Sequence, residues 1–242
     1  MKKYILCMLL VLPLSANAVM GVMDGPINCK HKEFRGSNCK SFFYKPFVPQ
    51  RQISLHGTHV TSTINGKNVG VYKGGHVIGY QMFKMYGGPR GNYQWLGDNI
   101  VTGNMTLEES AIRHGYHHMG VTVFNQSYGQ GGGWTPYRTV RLWKKYNKVT
   151  FVRAAGNSGT GLTVEGGVIP NNVIMVGAVD SRNRRTSWSN YPGDRYKHDF
   201  VMARGIVRAA DEANGYVVMR GTSMAAPYVT GVVGELHDRY PA

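Results

Sequence analysis

Acidic residues are scarce in this sequence, and so are cysteines and long apolar runs. The 242 residues include 13 Asp and Glu against 28 Lys and Arg, and 3 cysteines. The shortage of negative charge leaves a formal net charge of +15 at pH 7, which favours acidic partners or anionic surfaces through long-range attraction. No stretch after the first 18 residues approaches the ~20 apolar residues of a membrane-spanning helix, so we expect no transmembrane segment there.

The basic residues are scattered along the chain. Short clusters occur at 141–145 (RLWKK) and 181–185 (SRNRR), but no nucleic-acid recognition module accompanies them. We therefore expect a solvated basic surface and no specific binding of nucleic acid.

The first 18 residues have the pattern of a secretory signal. Two lysines precede an apolar run from Tyr4 to Leu14, and small residues end the segment at 16–18 (ANA). A short membrane anchor is the alternative, but the run is too short to span a bilayer. We predict cleavage after Ala18, which removes the two lysines and lowers the formal charge from +15 to +13. Residues 19–242 would then form one domain of a secreted or periplasmic protein.

Cleavage would leave two cysteines, Cys29 and Cys39. An exported chain meets an oxidising compartment, and an even pair at short separation predicts a disulfide. Closing so short a loop would contribute ~3 kcal/mol in the chain-entropy description. Two free thiols are the alternative.

Apolar runs alternate with helical patterns along the chain. Six runs are almost continuously apolar, as expected for strands covered on both faces of a parallel sheet: 18–24, 77–85, 121–127, 149–156, 172–179 and 215–221. Helical patterns lie at 56–64, 104–120 and 222–240, and the second opens with a capping box at Thr106 and Glu109. The alternation predicts an α/β fold with a doubly wound, mainly parallel β-sheet and helices on both faces.

Polar residues stand where predicted strands end. Asp24 ends the first strand, Asn157 follows the fourth, Ser223 follows the last, and His56 begins a helix. In open parallel sheets, functional groups collect at the carboxyl ends of the strands. This set of groups serves acyl transfer through an activated serine. For Ser223 alone, an ordinary helix N-cap is the alternative.

Six segments occur in an order that is typical of one protein family: VMGVMDGPINCKHKEF, HGTHV, VTVFNQSYG, AAGNSG, IMVGAVDSRNRRTSWSNY and GTSMAAPYVTG. The chain resembles the subtilisin-like serine proteases (peptidase S8) over almost all of residues 19–242. VFNQSYG and GTSMAAP are most similar to the protease passengers of bacterial autotransporters.

The resemblance implies an active site. Ser223 would be the nucleophile, His56 the general base, and Asp24 the carboxylate that orients the imidazole. The side chain of Asn157 and the backbone N–H of Ser223 would form the oxyanion hole, and the Ser223 hydroxyl would face His56. Pro227 is expected in the first turn of the serine helix, where proline is tolerated.

The resemblance also implies polypeptide substrates. Ser127, Tyr128 and Gly129 match the family's substrate-pairing segment, whose backbone adds the peptide as an extra strand. Ala155 and Gly156 belong to the matching AAGNSG segment and are the further substrate-binding candidates.

The sequence departs from the family pattern next to Asp24. Gly25 stands where relatives have Ser or Thr. Glu33 falls where many relatives have an acidic calcium ligand, but the remainder of that site is not recognisable. No metal ligand is therefore assigned, and calcium is the one cofactor left open.

Histidines near the helices are the other metal candidates. His59 follows His56 by three residues, and His114, His117 and His118 form a cluster. We expect helix packing for His59 and an exposed helix surface for the cluster, because no complete ligand set is evident.

Family members carry an N-terminal propeptide and continue after the serine helix. No propeptide is recognisable between Ala18 and Asp24, and the later segments of the family are not recognisable after residue 240. A minimal protease, a gene product truncated at its C-terminus and a passenger fragment are the alternatives. We expect residues 19–242 alone to be prone to aggregation or to need a separately encoded folding aid. The alternative function is a catalytically silent binding module for an acidic partner.

Overall fold

A parallel β-sheet lies at the centre of the computed structural model, which describes residues 18–37, 39–42, 53–129 and 131–241. The strands in this part of the chain are β1 (Val19–Asp24), β2 (Cys39–Phe42), β3 (His76–Gln81), β4 (Phe83–Tyr86), β5 (Asn92–Trp95), β6 (Ile100–Thr102), β7 (Met105–Thr106), β8 (Val121–Gln126), β9 (Trp134–Thr135), β10 (Thr150–Ala154), β11 (Thr163–Val164), β12 (Val173–Val179), β13 (Phe200–Arg204), β14 (Ile206–Ala210) and β15 (Tyr216–Arg220). The helices are α1 (Leu55–Asn65), α2 (Leu107–His118), α3 (Tyr137–Lys145) and α4 (Thr222–Arg239). The predicted signal segment lies almost wholly outside the described residues.

Seven strands form the central sheet in the order β13-β12-β10-β8-β1-β3-β2, and every neighbouring pair is parallel. From β1 the sheet grows towards β3 on one side and towards β8 on the other. The chain therefore reverses its winding direction next to β1, at the kind of switch point where α/β sheets open a crevice. Asp24 and Ser127 stand at the carboxyl ends of β1 and β8, on the two sides of this crevice.

Helices cover both faces of the sheet, as predicted. On one face, Val60 of α1 and Met224 of α4 pack against Val22 and Val123 in one buried cluster. On the opposite face, α2 and α3 contribute to a second cluster that contains Ile112, Trp143, Phe124 and Phe151. Burial on both faces explains why the central strands are apolar without alternation.

The start of α2 confirms the predicted capping signal. Thr106 is the N-cap, and its hydroxyl oxygen accepts a hydrogen bond from the backbone N–H of Glu109 at 3.2 Å. The helix ends before Gly120, whose φ of +66° is left-handed and suits glycine.

Two sequence expectations differ from the structure. The run 77–85 is two strands, because β4 leaves the central sheet and pairs antiparallel with β5. The run 215–221 is a strand, β15, but it pairs antiparallel with β14 outside the central sheet, so its predicted place in the parallel sheet is wrong. This hairpin is not covered on both faces, as the exposed side chain of Val218 shows, whereas the inner strands of the central sheet are.

The helix α3 was not predicted. It presents basic side chains to solvent and buries Val140 and Trp143, three residues apart, so its apolar signal is short. Cys29 and Cys39 form the predicted disulfide. In the part of the chain that the structure describes, no helix combines the length and apolarity needed to cross a membrane.

Candidate active site

A cleft of about 320 Å³ opens at the carboxyl ends of the central strands. Its lining includes eight of the predicted site residues, namely Asp24, His56, Ser127, Tyr128, Gly129, Gly156, Asn157 and Ser223. Segments far apart in sequence meet here because β1, β8 and β10 are neighbours and end at the same edge of the sheet.

Asp24 and His56 form a short contact inside the cleft. The His56 Nδ1 atom lies 2.9 Å from both carboxylate oxygens of Asp24, which is itself 1% exposed. Burial lowers the pKa of His56, but the charge of Asp24 and its hydrogen bond together raise this pKa by more than burial lowers it. The pKa of His56 therefore lies above its ordinary value. The imidazole side chain is 35% exposed, so its other edge is open to a ligand in the cleft.

Ser54 positions His56 and was not singled out from the sequence. It is the N-cap of α1, and its hydroxyl oxygen accepts a hydrogen bond from the backbone N–H of Gly57 at 3.2 Å. A Cβ at Gly25 would lie 2.5 Å from the Ser54 hydroxyl, so glycine at that position lets the two segments approach. A serine two residues before His56 was the available signal, because serine is a preferred N-cap.

Ser223 is the second residue of α4 and lies in the cleft with His56. Its hydroxyl donates to the carbonyl oxygen of Ser127 at 3.0 Å. Among the hydrogen bonds of the described residues, none joins the Ser223 hydroxyl to the His56 ring. The expectation that the hydroxyl faces His56 therefore requires a rotation of this side chain.

Pro227 accounts for part of this arrangement. The residue lies inside α4, five residues after the first helical residue, so its predicted place in the first turn is wrong. A proline has no N–H, so it leaves the carbonyl four residues earlier, that of Ser223, without its helical donor. The hydroxyl of Ser127 donates to that carbonyl at 2.9 Å.

Asn157 is held by Thr222, another residue that the sequence analysis did not single out. The Asn157 Oδ1 atom accepts from the backbone N–H of Thr222 at 2.8 Å and from its hydroxyl at 3.1 Å. With its oxygen engaged, the amide group has its nitrogen as the remaining donor, and no described residue accepts from it. The available signal in the sequence was the position of Thr222 in the GTS triplet, directly before Ser223. In the structure, Gly221 of this triplet has a φ of +150°.

The structure separates the two remaining substrate-binding candidates. Gly156 lines the cleft and donates its N–H to the Thr222 hydroxyl at 3.0 Å. Ala155 is buried, donates its N–H to the carbonyl of Val176, and accepts from the side-chain amide of Asn190. The backbone of Ala155 is thus already occupied, and this residue is not in the cleft wall.

Glu33 is fully buried and surrounded by donors. Its carboxylate accepts from the Asn68 side chain and backbone N–H, both at 2.8 Å, from the Val69 N–H at 3.3 Å, and from the Tyr216 hydroxyl. Burial raises the pKa of Glu33, but these hydrogen bonds together lower this pKa by more than burial raises it. The pKa of Glu33 therefore lies below its ordinary value. A calcium ion takes oxygen ligands, so this donor set does not fit calcium at Glu33.

The histidine candidates lie apart from the cleft. His59 is fully buried, its Nε2 atom lies 3.1 Å from the Val207 carbonyl oxygen, and burial lowers its pKa to about 4. His114 Nδ1 lies 2.9 Å from the Tyr80 hydroxyl. Among the residues that the structure describes, no group of three His, Cys, Asp or Glu side chains is arranged to hold a metal ion.

Comparison with known proteins gives a family match over most of the chain. The family described as the subtilase family, Peptidase S8, matches residues 15–242. Subtilisin J of Geobacillus stearothermophilus is 28% identical over 235 residues, which cover 93% of this chain and 57% of that protein. The subtilisin of Bacillus pumilus is also 28% identical over 235 residues, covering 93% of this chain and 78% of that protein. The chain thus spans little more than half the length of subtilisin J.

Solved structures share the fold. A cold adapted subtilisin-like serine proteinase superposes with a TM-score of 0.72 at 24% identity, covering 93% of this chain and 77% of that one. The patellamide maturation protease PatA superposes with a TM-score of 0.70 at 25% identity, covering 92% of this chain and 79% of that one.

Proposed function

Because the chain belongs to the subtilase family, we propose that it is a serine endopeptidase that hydrolyses polypeptides through an acyl-enzyme intermediate. Ser223 is the nucleophile, His56 the general base and then the general acid, and Asp24 the carboxylate that orients the imidazole. The observation that carries this proposal is the 2.9 Å contact between His56 Nδ1 and Asp24 in the cleft that also contains Ser223.

The first step needs a rotation of the Ser223 side chain. The hydroxyl leaves the carbonyl of Ser127, approaches His56 Nε2, and gives up its proton as its oxygen attacks the substrate carbonyl. The imidazole is then positively charged and lies against the buried carboxylate of Asp24. This carboxylate stabilises the charged ring and keeps Nδ1 protonated, which leaves Nε2 as the base.

The developing oxyanion needs hydrogen-bond donors in place before the reaction. The side-chain nitrogen of Asn157 is suited to this role, because Thr222 holds the oxygen of the same amide. The backbone N–H of Ser223, at the start of α4, is the second donor. The substrate backbone pairs with the segment Ser127–Gly129, which lines the cleft.

Export and assisted folding belong to the same proposal. Export to the periplasm or medium is supported by the signal pattern of residues 1–18. A separate folding aid is supported by apolar side chains that α4 leaves exposed at Val232 and Leu236, 47% and 48% respectively. Such surface favours aggregation unless another chain covers it.

A catalytically silent binding module is the second candidate. The hydrogen bond from Ser223 to the Ser127 carbonyl favours it, because a nucleophile in that orientation is not activated by His56. In this case the cleft would hold an extended segment of an acidic partner on a chain of net positive charge.

Labelling with a fluorophosphonate probe separates the two candidates. We expect the purified chain and a Ser181→Ala control, changed at an exposed serine, to be labelled. A Ser223→Ala variant should lose both labelling and peptide cleavage while it unfolds at the same urea concentration. A wild-type chain that folds cooperatively but is not labelled would exclude the protease and leave the binding module.

A further inference from the structure

A second cavity, of about 240 Å³, lies beside the cleft. The two share Phe83, Tyr93, Tyr128 and Gly129 in their walls, so the cavity adjoins the segment that pairs with substrate. One wall is aromatic: the ring of Tyr128 packs against Trp95 with centroids 4.7 Å apart and against Phe83 at 5.9 Å. A substrate side chain can therefore enter it from the cleft.

Arg153 lines this cavity although it is only 3% exposed. Its guanidinium group packs over the rings of Tyr128 and Trp143, at 5.3 and 5.5 Å from their centroids. The group has five N–H donors, yet its one hydrogen bond to a described residue is a long one of 3.5 Å, to Gln126 Oε1. The remaining donors of this largely buried group are open to the cavity, so they are available to an acceptor on a ligand there.

Glu108 lines the same cavity and is 2% exposed. Its Oε1 atom accepts from the Tyr128 hydroxyl at 2.8 Å and from the Gln126 side chain at 3.3 Å. Among the described residues, none donates to its Oε2 atom. The carboxyl group therefore has an acceptor left for a donor on the ligand.

The charges around the cavity balance in pairs. Arg138 at the rim forms an ion pair with Asp98, with 2.7 Å between Nη2 and Oδ2. The remaining ionisable groups are Arg153 and Glu108, which have opposite signs when both are charged; burial raises the pKa of Glu108 above its ordinary value, and the charge of Arg153 opposes this effect. A ligand that carries a full charge would gain from one of these two groups and be repelled by the other.

We propose, on the basis of the proteolytic function above, that this cavity is a specificity pocket for a primary carboxamide, the side chain of glutamine or asparagine in the substrate. Its carbonyl oxygen accepts from the Arg153 guanidinium, and its NH2 group donates to Glu108. The planar amide lies against the aromatic wall. A neutral carboxamide is both donor and acceptor, so it can bond the remaining donors of Arg153 and the Oε2 atom of Glu108 without bringing a net charge into the cavity.

The test compares peptides that differ in one side chain. Quenched fluorescent peptides carry Gln, Glu, Met, Lys or Leu, one at a time, at each of the four positions before the cleaved bond. Met matches Gln in length without its hydrogen bonds, and Glu matches Gln in shape with a charge. At one of these positions we expect Gln to exceed Met and Glu by at least about 10-fold in kcat/KM, the scale of a hydrogen bond to a buried charged group.

Binding without cleavage is measured with the same peptides. Fluorescence anisotropy with the Ser223→Ala variant should show the same order of affinities, and this readout does not depend on catalysis. Equal values for Gln and Met at every position, in both experiments, would overturn the pocket. Preference for Glu over Gln would overturn it too, because it would make the site a plain anion pocket.

Two variants assign the preference to the cavity. Arg153→Met and Glu108→Gln should each lower the ratio of Gln to Met towards one, whereas Arg141→Gln, an exposed change on the same helix as Arg138, should not. If a variant fails to fold, the wild-type comparison still decides the proposal. If the wild-type chain is not labelled by the fluorophosphonate probe but still prefers Gln in the binding measurement, the protease function is rejected and the pocket is kept.

Discussion

Ser127 and Ser223 each donate a side-chain hydrogen bond to the other's main-chain carbonyl, at 2.9 and 3.0 Å. The first of these bonds uses a carbonyl that Pro227 leaves without its helical donor. The second holds the proposed nucleophile on the proposed substrate-pairing segment. In the proposed mechanism, the Ser223 hydroxyl leaves this carbonyl to reach His56.

Ser127→Ala should lower the stability of the fold. The Ser127 hydroxyl also accepts from the side-chain amide of Asn125 at 2.9 Å, and Asn125 is fully buried. Loss of the Ser127 hydroxyl leaves the Asn125 amide without this acceptor, so we expect the free energy of unfolding to fall by about 1–3 kcal/mol. Urea unfolding against a Ser181→Ala control measures the loss, and an unchanged midpoint would contradict this role of Ser127.

Thr222→Val should reduce turnover with little effect on substrate binding. The variant keeps the shape of the side chain but removes the hydroxyl that bonds Asn157 and Gly156. Removal of a whole oxyanion donor in a subtilisin costs roughly 10²–10³ in kcat, so a misaligned donor should cost about 10-fold. Thr222→Ser should restore the rate. A rise in KM at constant kcat would show that Thr222 acts on binding instead.

Asp24→Asn should lower the pKa of His56. In the wild type the pKa is raised, because Asp24 outweighs the effect of burial. The charged ring therefore stabilises the fold below its unfolded pKa, and this contribution is lost as pH rises through the folded pKa. Without the charge of Asp24, burial dominates and the pKa falls below the ordinary value.

Titration of the His56 ring by NMR in both proteins checks this sign. The acid limb of the pH profile of kcat/KM should move in the same direction, while kcat itself drops by about 10⁴. An equal pKa in the two proteins would mean that the contact with Asp24 does not control the base.

Glu33→Gln should destabilise the fold, and a calcium chelator should not. The glutamine NH2 group would face the N–H donors of Asn68 and Val69, which leaves at least one buried donor unpaired and costs about 1–3 kcal/mol. Thermal unfolding of wild type and variant, each with and without EGTA, measures both effects. A fall in the wild-type midpoint with EGTA, reversed by calcium, would place a calcium site elsewhere in the chain.

Reduction of the disulfide between Cys29 and Cys39 should lower stability by about 3 kcal/mol, the chain-entropy value for so short a loop. The double variant Cys29→Ser/Cys39→Ser should melt at the same temperature with and without reductant, and at the temperature of the reduced wild type. A wild-type chain whose midpoint does not respond to reductant would contradict a stabilising role.

Short local patterns gave most of the correct predictions of helices, strands and candidate residues. The capping box at Thr106 and Glu109 fixes the start of α2 within four residues, and the continuous apolar runs predict strands buried on both faces. The candidate residues Asp24, His56, Asn157 and Ser223 stand at element ends in short motifs. Their side chains meet in one cleft because parallel strands end at the same edge of a sheet.

The sequence by itself thus determined the types of most central elements, the family resemblance and the candidate residues, because each depends on neighbours within a few positions. Only the tertiary structure decided that the Ser223 hydroxyl rests on Ser127, 96 residues away, and that β15 lies outside the central sheet. It also brought Tyr216 to Glu33 across 183 residues, and it placed Arg153 and Glu108 in one cavity. Contacts of this kind depend on how buried polar groups find partners once the strands and helices have packed, and no local pattern encodes that choice.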